Sequence, residues 1–405
     1  MTVGIVADEF FDPAIGRMGG FGWAARQVAN LFNSRPGLGV RVVFLAARVQ
    51  NRGGARLRQV NNTPIAFQCR GQNYRNTILQ QGLDLLLTID YRPRYRPILE
   101  ILQDTPVIVW VRDPKPPQVQ ARVATLRLPD AASAFPEGIK PVDCRSLSIL
   151  RRRSIQSRRP LLFGTPALSL GSLLEGAYAV SGVECVFLPN IVDIRMKNIT
   201  KSETPRVIFL GRLDPIKRPW LFVELARAFP AVEFLMLGQS HFRGRGAWAA
   251  IEMPRNVTLL GHVDGEQKLQ LLSSAWVLVN TSIHEALPTS VLEALACETP
   301  VLSCTNQEGV VSRFGVFTGW CGGDGISHLP TFAAGLRRLI TNDLLRTQFG
   351  KEGRRWVERT HNTTTFLNSF DALCLRAGID RGQVAKVSVP TIRTNQGAPN
   401  DCAQI

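Results

Sequence analysis

Apolar runs of strand length alternate with helical patterns along almost the whole 405-residue chain. That alternation predicts an α/β protein built from open, mostly parallel sheets with helices on both faces. In the first half the runs are Val3–Ala7, Val40–Leu45, Pro64–Gln68, Leu83–Ile89 and Val107–Val111, with shorter ones near Leu161–Phe163 and Cys185–Leu188. A helix over Phe21–Asn33 follows the first run after a glycine-rich turn. Residues 114–160 are rich in Pro, Arg and Ser and read as an irregular excursion. The polar stretch 194–205, ending in proline, reads as a linker. A second alternation follows, with strands at 207–211, 232–237, 257–260, 276–280 and 300–303 and helices at 219–229, 265–273 and 289–297. Helical patterns then fill 328–341 and 343–378, and the polar stretch 381–405 reads as a disordered tail.

Two doubly wound halves therefore emerge, as the length also suggests. In such sheets ligands bind at the carboxyl ends of the strands, and a cleft between two such domains is the default active site. No stretch of 18 uncharged apolar residues is present, which argues against a spanning helix. The opening MTVGIVADEF is a strand followed by two acids rather than a signal peptide, so a cytoplasmic protein is expected. The eight cysteines form no Cys-x-x-Cys pair and read as buried free thiols.

Charge changes this picture in one respect. The net charge is +16, and residues 1–200 hold 26 Lys/Arg against 14 Asp/Glu, whereas 201–405 hold 22 against 18. The densest part is Arg145, Arg151, Arg152, Arg153, Arg158 and Arg159. Such a surface concentrates anions, whether phosphorylated substrates, acidic headgroups or nucleic acid. The alternative is a merely soluble cationic face.

Candidate chemistry sits at the strand ends of the second half. The run 207–211 leads into Arg212 and Lys217 just before a helix opened by Pro219. Two cations beside a helix N-terminus suit a diphosphate, although such residues are also common as solvated loop charges. After the run 276–280 come Glu285 in a loop and Glu293 on the following helix, whose first turn Pro288 fits. Amides near Ala286, Leu287 and Thr289 would face the cleft. One carboxylate can bind sugar hydroxyls and the other a ribose diol; the plain alternative is a surface or helix-terminal acid.

The ordered set GRLDPIKRP, Gly238 at a strand end, VTLLGHV, and HEALPTSVLEALACETPVL resembles the retaining family 4 glycosyltransferases, the glycosyl transferases group 1. The match is close over 207–304. FLPNIVD (Phe187–Asp193) and RMGGFGWAARQVANLF resemble the family's domain junction and its first glycine loop and helix, while 40–185 agree only in rhythm. The resemblance implies a GT-B fold, two Rossmann-like domains facing a cleft: an acceptor domain over 1–193 with a helix at 361–378 crossing back, and a nucleotide-sugar domain over 205–360. It places Arg212 and Lys217 on the donor phosphates, Glu293 on the ribose and Glu285 beside the transferred sugar. His262 and Val263 would meet the base. Gly19, Gly20 and Gly22 would let backbone approach a phosphate, a plain tight turn being the alternative.

The resemblance thus implies a retaining transferase with a nucleotide sugar as donor substrate and no cofactor. It would act metal-independently, in keeping with the absence of an Asp-x-Asp pair. The expected partners are a glycan or lipid-linked acceptor and an anionic membrane surface at the inner face, with nucleic acid disfavoured. Two departures stand out. The family's N-domain histidine has no counterpart, since the histidines are 241, 262, 284, 328 and 361, which leaves Arg112 or Asp113 as a replacement or as a structural ion pair. Ala286 and Pro288 stand where relatives often carry glycine. The rival class is a catalytically inactive relative that binds nucleic acid or lipid through its basic half; an epimerase or phosphorylase fits the motifs less well.

Overall fold

Leu85–Ile89 and Val107–Trp110 are buried at every position, as strands covered on both faces must be. In the computed structural model, which describes residues 1–10, 19–50, 57–69, 74–129, 145–196, 198–242, 251–382 and 388–394, such runs assemble into two sheets. The chain divides into two units, one drawn from Met1–Pro116, Val142–Ile191 and Thr363–Asn400, the other from Pro117–Pro141 and Val192–Asn362.

The first unit contains β1 (Thr2–Ala7), β2 (Arg41–Gln50), β3 (Leu57–Val60), β4 (Thr63–Cys69), β5 (Leu85–Ile89), β6 (Val107–Trp110), β7 (Leu161–Thr165) and β8 (Glu184–Phe187). The second contains β9 (Arg206–Leu210), β10 (Glu233–Leu237), β11 (Val257–Gly261), β12 (Val277–Asn280), β13 (Val301–Ser303) and β14 (Gly315–Phe317). A last strand, β15 (Thr391–Arg393), belongs to the first sheet. The sheet orders are β15-β8-β7-β6-β5-β1-β2-β4-β3 and β11-β10-β9-β12-β13-β14. All pairings are parallel except β3 with β4 and β15 with β8.

Alternate strand residues feed opposite faces. Ile5, Phe44, Leu87 and Trp110 pack with Phe32, Phe366 and Phe370 on one side. Val6, Leu86, Val109 and Phe163 pack with Tyr95 and Tyr178 on the other. The helix Gly20–Asn33 presents Trp23, Ala24, Val28 and Phe32 to the first face, the spacing of one helical stripe. The helix Thr363–Arg376 contributes Phe366, Phe370, Leu373 and Cys374 to that same core.

Several expectations are corrected. The irregular excursion expected over 114–160 contains two helices, Pro117–Ala124 and Arg145–Gln156. The first does not belong with residues 1–116: Val123 and Leu126 pack with Trp220, Leu221 and Ile283 of the second unit. Arg145, Arg151, Arg152 and Arg153 of the arginine cluster are helical because Ser146, Leu147, Leu150 and Ser154 form a buried stripe beneath them, whereas Arg158 (φ 54°) and the buried Arg159 lie beyond the helix. Residues 130–144 lie outside the described residues. The disordered tail expected beyond Arg381 includes β15, whose Ile392 pairs opposite Cys185. Strands β3 and β14 are too short and too polar or mixed to stand out as apolar runs.

Cys185, Cys297, Cys304 and Cys374 are buried free thiols and Cys321 is half-buried. Burial pushes the Cys185, Cys297 and Cys374 thiols up to about 12. The Cys69 side chain, Cys144 and Cys402 lie outside the described residues.

Candidate functional site

In the second sheet the chain runs from β9 outward to β10 and β11, then returns to place β12 on the opposite side of β9. The topological switch point therefore lies between β9 and β12, and both carboxyl ends open onto it.

The loop after β9 is shaped by its own sequence. Leu213 forms a bridge with Ser240. The Asp214 carboxylate accepts the Lys217 N–H at 3.2 Å and so caps the turn Pro215–Lys217. Arg218 takes a left-handed conformation (φ 45°), and Pro219 then opens the helix Pro219–Arg227. The turn sends the Lys217 side chain to the loop after β12, where Nζ lies 2.5 Å from Glu285 Oε1. The same oxygen accepts Asn280 Nδ2 at 3.1 Å and Ser282 Oγ at 2.6 Å. Asn280 in turn accepts the Ser282 N–H at 2.9 Å, which fixes the loop's first bend. Burial raises the Glu285 carboxyl, but Lys217 and the hydroxyl and amide donors outweigh it, so the group is held below the usual carboxylate range.

Arg212 stands on the same loop, 40% exposed, with Nε 3.3 Å from Asp214. Pro288 is the N-cap of the helix Thr289–Ala296 rather than a member of its first turn, because its ψ of 131° is still extended. The first helical bonds run from the Val291 and Leu292 N–H groups to the Pro288 carbonyl, so the amides of Thr289 and Ser290 precede the helical ladder. Ala286 and Leu287 fall in the loop between Glu285 and this cap, Leu287 buried and Ala286 half-buried. Glu293, on the helix, is buried, and its Oε1 accepts Lys268 Nζ at 2.7 Å; Lys268 also lies 3.3 Å from Asp264. Burial disfavours the Lys268 charge, yet the two carboxylates raise its pKa overall. At the end of β11, Gly261 has φ 70° and its carbonyl accepts the Gly238 N–H at 2.7 Å. His262 beyond it is exposed and Val263 is buried.

In the first unit the switch point lies between β1 and β5. Gly19 is the N-cap of the helix Gly20–Asn33, with Gly20 and Gly22 in its first turn. Gly19 has φ −114°, and neither helical glycine has positive φ, so none of the three is required by left-handed backbone. A Cβ on Gly20 would meet nothing within 4 Å. Asp113 pairs with Lys115, whereas the buried Arg112 guanidinium stacks 4.4 Å from the Trp110 ring.

The motifs mark Lys217, Glu285 and Glu293 but not the residues that hold them, Asn280, Ser282 and Lys268. Asn280 closing an apolar strand is a readable turn signal. Lys268 carries no such mark, because it sits among polar residues on an ordinary helix and only the fold reveals its burial.

Residues 191–356 match the family model described as Glycosyl transferases group 1. That match bears out the resemblance drawn from the motifs between Val207 and Cys304. A stretch of 110 residues is 28% identical to D-inositol 3-phosphate glycosyltransferase of Mycobacteroides abscessus, covering 25% of each chain. The match thus spans about a quarter of that curated relative. Two solved structures resemble the whole fold. Sucrose-phosphate synthase of Thermosynechococcus elongatus has a TM-score of 0.64 at 15% identity, with 93% of this chain and 97% of the other covered. Anabaena HepE in complex with UDP-glucose has a TM-score of 0.62 at 13% identity, with 93% and 100% covered. The fold is that of two Rossmann-like units, the GT-B pair.

Proposed function

We propose that this chain is a retaining, metal-independent glycosyltransferase that takes a hexose from a nucleoside diphosphate. The observation that carries the reading is the convergence of Lys217, Glu285, Asn280 and Ser282 at the switch point of the group 1 sheet, with Glu293 on the next helix. In this reading Arg212 and Lys217 hold the diphosphate and offset the charge that grows on it as the anomeric bond breaks. Glu285 meets the transferred sugar. Glu293 binds the ribose through the oxygen that Lys268 leaves open, while His262, Val263 and the amides from Ala286 to Thr289 border the nucleotide. Gly19, Gly20 and Gly22 admit a phosphate in the first unit. The retaining outcome, the metal independence and the absence of a cofactor rest on the family resemblance.

The acceptor is proposed to be anionic, lipid-linked or a glycan, with the enzyme held at the inner face of a membrane. Arg152 and Ile155 are exposed on the helix Arg145–Gln156, Ile155 at 64%. A pocket of about 440 Å³ beside them joins Arg151, Arg159 and Arg376 to an apolar floor that includes Leu161 and Leu373. The name of the Mycobacteroides relative, which specifies a phosphate-bearing acceptor, supports the same reading.

A thermal-shift panel of nucleotide sugars followed by calorimetry tests the donor. A ligand at 100 times its dissociation constant adds about 2.7 kcal/mol. Silence across UDP-, GDP- and ADP-sugars would overturn the assignment, and turnover lost to EDTA and restored by manganese would overturn metal independence. Co-sedimentation with anionic against neutral vesicles, at low and high salt, tests the membrane.

A further inference from the structure

Beneath the Lys217–Glu285 loop lies a guanidinium without a carboxylate. Arg218 is fully buried. Its Nε donates to the Thr281 carbonyl at 2.8 Å and its Nη1 to the carbonyls of Cys321 (3.0 Å) and Gly322 (3.3 Å). Its Nη2 donates to two sulfurs, Cys304 Sγ at 3.2 Å and Cys321 Sγ at 3.3 Å. Among the described residues no acid pairs with it. A buried cation left without a counter-charge is strongly unfavourable, and the group here able to supply one is a thiolate.

The two sulfurs divide that role. The Cys304 S–H is shared between the Ser282 carbonyl at 3.2 Å and the Cys321 sulfur, and it is fully buried, so it keeps its proton. Cys321 is half-buried. Its hydrogen bond with Cys304, and then the Arg218 charge, lower its pKa to about 6 against the cost of burial. The same bond and burial raise the Cys304 thiol. The other titratable group acting on Cys321 is His328, whose Nε2 lies 2.8 Å from the Thr318 carbonyl.

We propose that Cys321 and Cys304 form a redox-active pair in which the Arg218-bound Cys321 thiolate reacts with a peroxide and Cys304 resolves it to a disulfide. The thiolate attacks one peroxide oxygen, forming the sulfenic acid and releasing hydroxide. The Cys304 sulfur then attacks the Cys321 sulfur, the S–S bond forms, and the hydroxyl leaves with the Cys304 proton as water. A disulfide carries no charge, so Arg218 loses its counter-ion and the Cys304–Ser282 hydrogen bond is lost. Ser282 and Thr281 begin the loop that carries Glu285, so closure disturbs the sugar end of the site, a consequence that rests on the proposed donor reading.

The test uses the whole reduced protein, treated with hydrogen peroxide, alkylated, digested and analysed by mass spectrometry. A linked Cys304–Cys321 peptide, reversed by dithiothreitol, is the expected result, as is native alkylation of Cys321 with a midpoint near 6. In Cys304→Ser the Cys321 sulfenic acid should accumulate and be trapped by dimedone. A midpoint in the ordinary thiol range of about 8.5, or peroxide leaving both thiols free, would overturn the proposal. Nucleotide-sugar affinity before and after oxidation separates the two readings: a linked peptide with affinity unchanged, or with no donor bound in either form, sinks only the link to the donor loop.

Discussion

Lys217 and Glu285, 68 residues apart in sequence, meet at 2.5 Å on a carboxylate oxygen that Asn280 and Ser282 also share. Three donors on one oxygen orient the carboxylate and leave its charge as the counterpart of the Lys217 ammonium. Glu285→Gln keeps an acceptor for Asn280 and Ser282 but removes that charge. Turnover should fall about 100-fold or more, the scale of removing one transition-state electrostatic contact, with affinity for the nucleotide alone little changed. Steady-state kinetics and calorimetry check this.

The same pair fixes an acid limit. The Glu285 carboxyl is depressed in the folded state, so its contribution is present above the unfolded value of about 4.3 and is lost as pH falls through the folded value. Urea unfolding of the wild type should show this loss, and Glu285→Gln should lack it.

Glu293 and Lys268 are both buried, so removing either partner strands the other. Lys268→Met should cost about 3–5 kcal/mol of stability, read from urea midpoints. Glu293→Gln, gentler on Lys268 because an acceptor remains, should weaken nucleotide-sugar binding by about 1.5–3 kcal/mol. The raised Lys268 value gives stability that is full below about 10.4 and lost as pH rises through the folded value.

Lys201 behaves in the opposite sense. Its Nζ donates to the Cys297 carbonyl (2.9 Å) and Thr299 Oγ1 (2.7 Å), and burial lowers its pKa to about 7. Between that value and about 10.4 the unfolded chain binds more protons, so stability rises with pH across the window. Lys201→Met should flatten the rise.

Two glycines of the motifs separate by cause. A Cβ on Gly238 would fall 1.8 Å from the Gly211 carbonyl oxygen, backbone that cannot turn aside, so Gly238→Ala should fail to fold or aggregate. Gly20→Ala meets nothing within 4 Å and gains helix propensity, so its melting temperature should hold or rise. A raised KM in that variant would identify a ligand that approaches Gly20.

The alternation of apolar runs made most of both sheets legible, because parallel strands buried on two faces read as continuous apolar segments. The strand-end residues Lys217 and Glu285 were legible through spacing. What the sequence concealed depends on distant contacts. The helix Arg145–Gln156 is polar overall and is held by a narrow stripe of Leu147 and Leu150. Arg159 looks like one more surface cation, yet it donates to the carbonyls of Thr105 and Leu99 and helps to hold the segment. Arg218, between Lys217 and Pro219, gives no local hint that two cysteines far along the chain receive it.

The helix Thr363–Arg376 and β15 complete a core and a sheet that began at Thr2. On a ribosome, residues 192–362 emerge in full before Phe366, Phe370 and Leu373 become available to the core around Phe32 and Trp110. The second unit can therefore fold while the first waits with an apolar face uncovered, although its opening strands were made first. Loss of that helix and of β15 leaves the first unit's core and sheet unfinished.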